Sequence, residues 1–194
     1  MEKYHVVKYS GPFGFIKPWT AVRDSETFSQ QFLTPSIVAG IEKKLFPELL
    51  SESGIKKIAG HRLSYAQVNQ QQEVIQTRGW NTTRKGKQIL FERPTAVLNR
   101  GVLLYPVLFL AFRNPEDAEK AFRQHICICR NEDILLPIEM KEVTHVEFDT
   151  EDEYAGYELV FEQNENSFHV GYDRKTKEPM YGWLKIVGTP VRTS

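Results

Sequence analysis

The chain has little that would staple it or anchor it. Among 194 residues there are two cysteines, Cys127 and Cys129. One residue apart in a strand, they share a face but are too strained for an easy bridge. No further soft ligands stand nearby, so both are expected to be reduced and packed. No run of eighteen or more apolar residues occurs, which argues against a membrane span. The opening MEKYHVVKYSG lacks a basic region leading into an apolar core, so no secretion signal is expected and the cytoplasm is the expected compartment. Net charge is missing as well. Lys and Arg number 25 against 25 Asp and Glu, which argues against coating a polyanion by bulk charge. Phosphate-loop, dinucleotide-binding and zinc-finger patterns are absent, and the five histidines have no nucleophile or metal spacing. Neither cofactor nor metal is expected.

The charge that is present is segregated. Six basic residues lie between Arg78 and Arg100 against the single acid Glu92, whereas Glu132 to Glu165 holds twelve acids opposed only by Lys141. Such asymmetry predicts a basic face for a polyanion and an acidic face for solvent or a basic neighbour.

The elements follow from periodicity. Lys3 to Tyr9 alternates and is rich in β-formers, which predicts a first strand ending at Ser10-Gly11. A polar loop, Gly11 to Phe32, carries Lys17, Trp19 and Arg23; connections that long are commonly functional. Thr34 as a hydroxyl cap and Pro35 at the first helical position open a helix whose apolar face is Ile37, Val38, Ile41, Leu45 and Leu49. Ile55 to Val68 reads as a second strand with a bulge at Gly60. Asn69 to Asn99 is polar and basic, with turns at Arg78-Gly79 and Lys85-Gly86, and predicts a projecting hairpin. Arg100 to Phe112 is nearly continuous apolar sequence, as a central strand would be, with Pro106 demanding a bulge or an edge. Asn114-Pro115 opens a second helix reaching Ile126, and Ile138 to Phe148 alternates as a fourth strand.

This β-α-β-β-α-β order predicts an α+β fold of the ferredoxin-like, RRM-like kind, an antiparallel sheet with both helices on one face. A hairpin thumb is inserted between strands two and three. Tyr157 to Phe161, Ser167 to Tyr172 and Met180 to Val187 add three short strands. The expected division is residues 1–150 as the core domain, with the thumb at about 69–99, and 151–194 as a C-terminal β extension.

Polar, basic and aromatic side chains of the first loop and the hairpin are the candidate site. Arg and Lys neutralise phosphates, Trp stacks on unpaired bases, and Asn, Gln and Thr reach base edges or a ribose hydroxyl. The residues expected to contact RNA are Lys17, Trp19, Arg23, Arg62, Asn69, Arg78, Trp80, Arg84, Lys85, Lys87, Arg93 and Arg100. No catalytic residue is assigned. His61, beside Arg62 and close to Tyr65, is the least isolated histidine, since cleavage through a 2′-hydroxyl needs only a base, an acid and a cation.

The order of motifs resembles the CRISPR-associated RAMP superfamily, and within it the Cas-five subunits of Cascade-type effector complexes. The resemblance rests on Gly14-Phe15-Ile16-Lys17-Pro18, Glu26-Thr27-Phe28, Leu33-Thr34-Pro35-Ser36 and Ala39-Gly40-Ile41, and on the apolar strand opened by Arg100-Gly101-Val102-Leu103-Leu104. It implies a non-catalytic subunit that holds the 5′ handle of CRISPR RNA and caps the backbone filament in antiviral defence. Its partners would be that RNA, the backbone and large subunits and, indirectly, target DNA, with no membrane. Some members cut precursor RNA with a Tyr and a Lys-His pair; this chain has no Lys-His dipeptide and no glycine-rich loop near its C-terminus. The alternatives are a metal-independent endoribonuclease built on His61 and Tyr65, and a protein-interaction module that binds no RNA.

Overall fold

A computed structural model of the chain describes residues 2–18, 25–128, 130–172 and 176–192. Trp19, Arg23 and Cys129 lie outside the described residues. In chain order the elements are β1 (Lys3–Ser10), β2 (Phe13–Gly14), β3 (Glu26–Phe28), α1 (Pro35–Leu45), β4 (Ile58–Ser64), β5 (Gln67–Gln76), β6 (Asn81–Lys85), β7 (Gln88–Glu92), β8 (Thr95–Leu104) and β9 (Val107–Phe112). They continue as α2 (Pro115–Phe122), β10 (Ile126–Cys127), β11 (Ile134–Thr144), α3 (His145–Thr150), β12 (Gly156–Val160), β13 (Phe168–Tyr172) and β14 (Pro179–Val187).

Strands alternate their side chains between two faces, and here both faces of the central strands are covered. The main sheet runs β10-β11-β1-β9-β4-β12-β14-β13, with antiparallel neighbours throughout. Val7 and Tyr9 of β1, Leu63 of β4, and Leu108, Leu110 and Phe112 of β9 meet Val38, Ile41 and Leu45 of α1 and Ala118 and Ala121 of α2. On the other face Tyr4, Val6, Phe109, Ala111 and Val143 pack with Phe148 of α3 and with Tyr154. A central strand covered on both faces explains the near-continuous apolar run of β9. The three C-terminal strands extend this sheet beyond β4 rather than forming a second one.

Several boundaries differ from the sequence reading, each for a local reason. Arg100 to Phe112 is two strands, β8 and β9, parted at Tyr105-Pro106. Tyr105 takes φ +50, and its N–H turns to the Pro12 carbonyl at 2.9 Å. Ile55 to Val68 is likewise parted at Tyr65-Ala66, so both chains leave the main sheet together and pair with each other as β5 and β8. The expected bulge falls between Ile58 and Gly60. Helix α1 stops at Leu45 because Phe46 precedes Pro47, and a residue before proline is pushed out of the helical region. The Thr34 hydroxyl lies 3.1 Å from that of Ser36 and makes no capping bond among the described residues. Helix α2 ends at Phe122, leaving Ile126 to β10. The expected fourth strand starts earlier and ends at Thr144, where a capping box opens α3. The Thr144 hydroxyl accepts from the Glu147 N–H at 3.2 Å, and the Glu147 carboxylate accepts from the Thr144 N–H at 2.6 Å.

Among the described residues no helix is long and apolar enough to cross a membrane, and no group of His, Cys, Asp or Glu could hold a metal.

Candidate nucleic-acid interface

The two strands that leave the main sheet build an arm. Ten residue pairs, from Gln67 with Leu104 to Gln76 with Thr95, form its antiparallel stem. At about 3.4 Å per residue the stem is about 30 Å long. Its base is thickened by β2 and β3, which pair with β8 on the side away from β5. Gly101 lets this happen, because a Cβ there would collide with the Phe28 ring that crosses it. The outer stem is a bare two-stranded ribbon, and β6 and β7 form a second hairpin at the tip. The tip turns at Gly86-Lys87 with positive φ on Gly86, the pattern of a tight hairpin turn with glycine at its first central position.

The tip presents apolar and cationic groups together. Trp80 is 60% exposed and Phe91 66%, with Ile89 and Leu90 also open to solvent. A two-stranded ribbon cannot bury such groups in itself, so they stand in solvent as candidate contact residues rather than in a core. Cross-strand pairing sets Phe91 beside Thr82 and Ile89 beside Arg84 on one face. Arg78, Arg84, Lys85 and Lys87 are exposed around them. Arg93 is fixed by two bonds to the Thr77 carbonyl, at 3.1 and 3.0 Å, which place its guanidinium 5.4 Å from the Trp80 ring centre. A flat indole, an open phenyl ring and five cations on one exposed hairpin can stack unpaired bases and neutralise phosphates.

At the base of the arm the cations are partly spent on the protein itself. Arg100 lies 3.4 Å from Glu73 and 5.7 Å from the Phe15 ring centre. Arg130, which the sequence reading passed over, lies 5.2 Å from the same ring. Its guanidinium meets the fully buried Asp133 at 2.7 and 2.9 Å. Asn69 is exposed on β5 with its side-chain Oδ1 accepting from the Gln70 N–H, and Lys17 is exposed beyond β2.

Arg62 stands apart from this group. It is fully buried, its guanidinium bonded to Asp149 at 2.7 Å and to Glu158, and it lies 4.6 Å from the Phe148 ring centre. Those contacts tie β4 to α3 and β12, and they point the charge into the protein rather than toward a ligand. The pair His61 and Tyr65 is also enclosed. Burial, with Arg62 adjacent, pushes the His61 imidazole down to about 3. Burial pushes the Tyr65 phenol up to about 12, and its hydroxyl donates to Gln31 at 2.6 Å. Phe91, which is not among the residues expected from the sequence to contact RNA, joins the candidate site through its exposure. Only the pairing of β6 with β7 on a projecting ribbon distinguishes it from core.

No family model matches the chain, and no curated protein matches it. Among solved structures, a chain of a "CRISPR RNA-guided surveillance complex" superposes with a TM-score of 0.51 at 13% identity, covering 97% of this chain and 90% of that one. The two share a fold.

Proposed function

We propose that this protein is a non-catalytic, CRISPR RNA-binding subunit of a Cascade-like effector complex, holding the 5′ handle of the guide and capping the backbone filament. The observation that carries the reading is the arm. It sets Trp80, Phe91 and several cations on an exposed hairpin, on a fold shared with a solved chain of a CRISPR RNA-guided surveillance complex. The finer fold reading accords with it. The order β11-β1-β9-β4, with α1 leading from β1 to β4 and α2 from β9 to β11, is what a ferredoxin-like RAMP domain would have, and the arm enters between its second and third strands. Residues 1–150 form that domain in this reading, and 151–194 are an extension that Arg62 holds through Glu158. The Cas-five assignment, the cytoplasmic setting and the backbone and large subunits as neighbours belong to the same proposal.

The RNA contacts are Lys17, Asn69, Arg78, Trp80, Arg84, Lys85, Lys87, Arg93 and Arg100, with Phe91 added and Trp19 and Arg23 retained from the sequence. Arg62 becomes a structural ion. The endoribonuclease reading draws no support from His61 and Tyr65, whose buried rings have no route to a ribose hydroxyl. The test is equilibrium binding of single-stranded repeat RNA to the intact chain and to an Arg84, Lys85, Lys87 triple glutamate variant. The proposal expects clear weakening in the variant; unchanged affinity would contradict it.

A further inference from the structure

The inner half of the arm carries an open face whose chemistry differs from that of the tip. Residues opposite one another on paired strands share a face of the sheet. Across β3, β8 and β5 this puts Phe28, Gly101 and Gln70 in one row and Glu26, Asn99 and Gln72 in the next. The pair Val97 and Val74 follows toward the tip. This side of the stem is the solvent side: Gln70, Gln72 and Val74 are exposed, whereas Gln71, Glu73 and Ile75 between them are half-buried. No Lys or Arg occurs in these rows.

The groups on this face are held in place and still open. The Phe28 ring crosses close over Gly101, which has no Cβ to block it, and the residue remains 52% exposed. Beside it, Oε1 of Glu26 accepts from the Gln70 side-chain amide at 2.7 Å. That bond fixes the carboxylate, and its Oε2 has no partner among the described residues. The side-chain amides of Gln72 and Asn99 are likewise without partners among the described residues.

These groups discriminate between ligands. A phosphate would meet only the charge of Glu26, which repels it. An apolar protein face would cover the valines but strand the carboxylate and the amides. An unpaired base satisfies both kinds of group, its ring against Phe28 and its edge against the polar row. A carboxylate only accepts, so it selects an edge that donates. The amine of cytosine donates, whereas the carbonyl that uracil carries at the same ring position accepts.

We propose that this face is the base-reading part of the arm. It takes an unpaired base with an exocyclic amine, stacked on Phe28 and bonded through its edge to Glu26, Gln72 and Asn99. The tip cations hold the backbone of the same strand. From the pair Gln72 and Asn99 to the end of the stem at Gln76 and Thr95 is about 14 Å, short enough for one strand to reach both. The inference rests on the RNA-binding reading and adds to it a source of sequence preference, which phosphate contacts alone do not supply.

The experiment is equilibrium binding of oligo(C) and oligo(U) RNA of equal length to the intact protein, since the two bases match in ring size and differ at the amine. Expected is tighter binding of oligo(C) by roughly fivefold or more. Glu26→Ala and Gln72→Ala should each bring that ratio toward unity with little change in melting temperature, because both side chains are exposed. Phe28→Ala should weaken both RNAs, stacking being tolerant of sequence. The Arg84, Lys85, Lys87 triple glutamate variant should weaken both and keep the ratio. Equal binding of the two RNAs by the wild type, or a preference that survives both Glu26→Ala and Gln72→Ala, overturns the proposal and leaves RNA binding by the tip standing. Binding of both RNAs that is unchanged in Phe28→Ala and Glu26→Ala also overturns it and assigns the face to a protein contact. Binding of neither RNA by the wild type removes this inference and the RNA-binding reading together.

Discussion

Arg93 holds its guanidinium 5.4 Å from the centre of the Trp80 ring because two bonds to the Thr77 carbonyl fix it there. The indole is thereby oriented on a ribbon that could not otherwise order it. One face of the ring is given to the cation, and the residue remains 60% exposed. A preformed stacking platform loses less freedom on binding than a loose one.

Trp80→Ala and Phe91→Ala should each weaken binding of single-stranded RNA by about 1–3 kcal/mol, roughly 5- to 150-fold. Neither ring packs in the core, so the melting temperature should hardly move. Anisotropy titrations beside thermal melts check both halves. Loss of affinity together with loss of folding would instead make the rings structural.

Changing Arg84, Lys85 and Lys87 to Glu should lower affinity and also flatten its salt dependence. Each lost phosphate contact removes about 0.7 from the slope of log K against log salt on single strands, so three contacts remove about 2. Titrations at several salt concentrations give that slope. An unchanged slope would show that these side chains do not touch phosphate.

Arg62→Ala should destabilise the fold by about 3–5 kcal/mol, because it strands the largely buried Glu158 carboxylate without its cation, while Asp149 keeps Lys185 at 2.8 Å. Urea unfolding measures the loss. At concentrations of urea where both proteins are folded, RNA affinity should match that of the wild type, which separates a structural arginine from a binding one.

His61 makes stability fall in acid. The unfolded chain protonates this imidazole below about pH 6.5, whereas the folded chain resists down to about 3, so the unfolded state holds the extra proton between those values. Stability is therefore full above pH 6.5 and declines on acidification through the window, by up to about 1.4 kcal/mol per pH unit from this group. Arg62 and Glu158 are the charges that face it. Unfolding of wild type and His61→Leu at a series of pH values tests this; parallel slopes would rule the histidine out as the cause.

Much of the fold could be read from residue order. The first strand, the C-terminal strands and the projecting hairpin lie near their expected places, because alternation and glycine turns are local signals. What escaped depended on contacts distant in sequence. Nothing local to Arg100–Phe112 says that its halves belong to different sheets; Tyr105 turns because its N–H bonds to Pro12, far away in the chain. Two local signals were present and unused. The Phe46-Pro47 step ends α1, and the Thr144–Glu147 spacing caps α3. The candidate site divides in the same way. The arm cations followed from charge clustering, whereas the burial of Arg62 required Asp149 and Glu158, which lie 87 and 96 residues further on.

The central claim is that the chain holds a guide RNA, and the most direct measurement is to isolate the protein from its native cell, wash in high salt and sequence whatever RNA remains. The account predicts small RNAs of uniform length sharing one 5′ sequence, retained by the wild type and depleted in the Arg84, Lys85, Lys87 triple glutamate variant. Recovery of no RNA, or of an unrelated mixture retained equally by the variant, would contradict it.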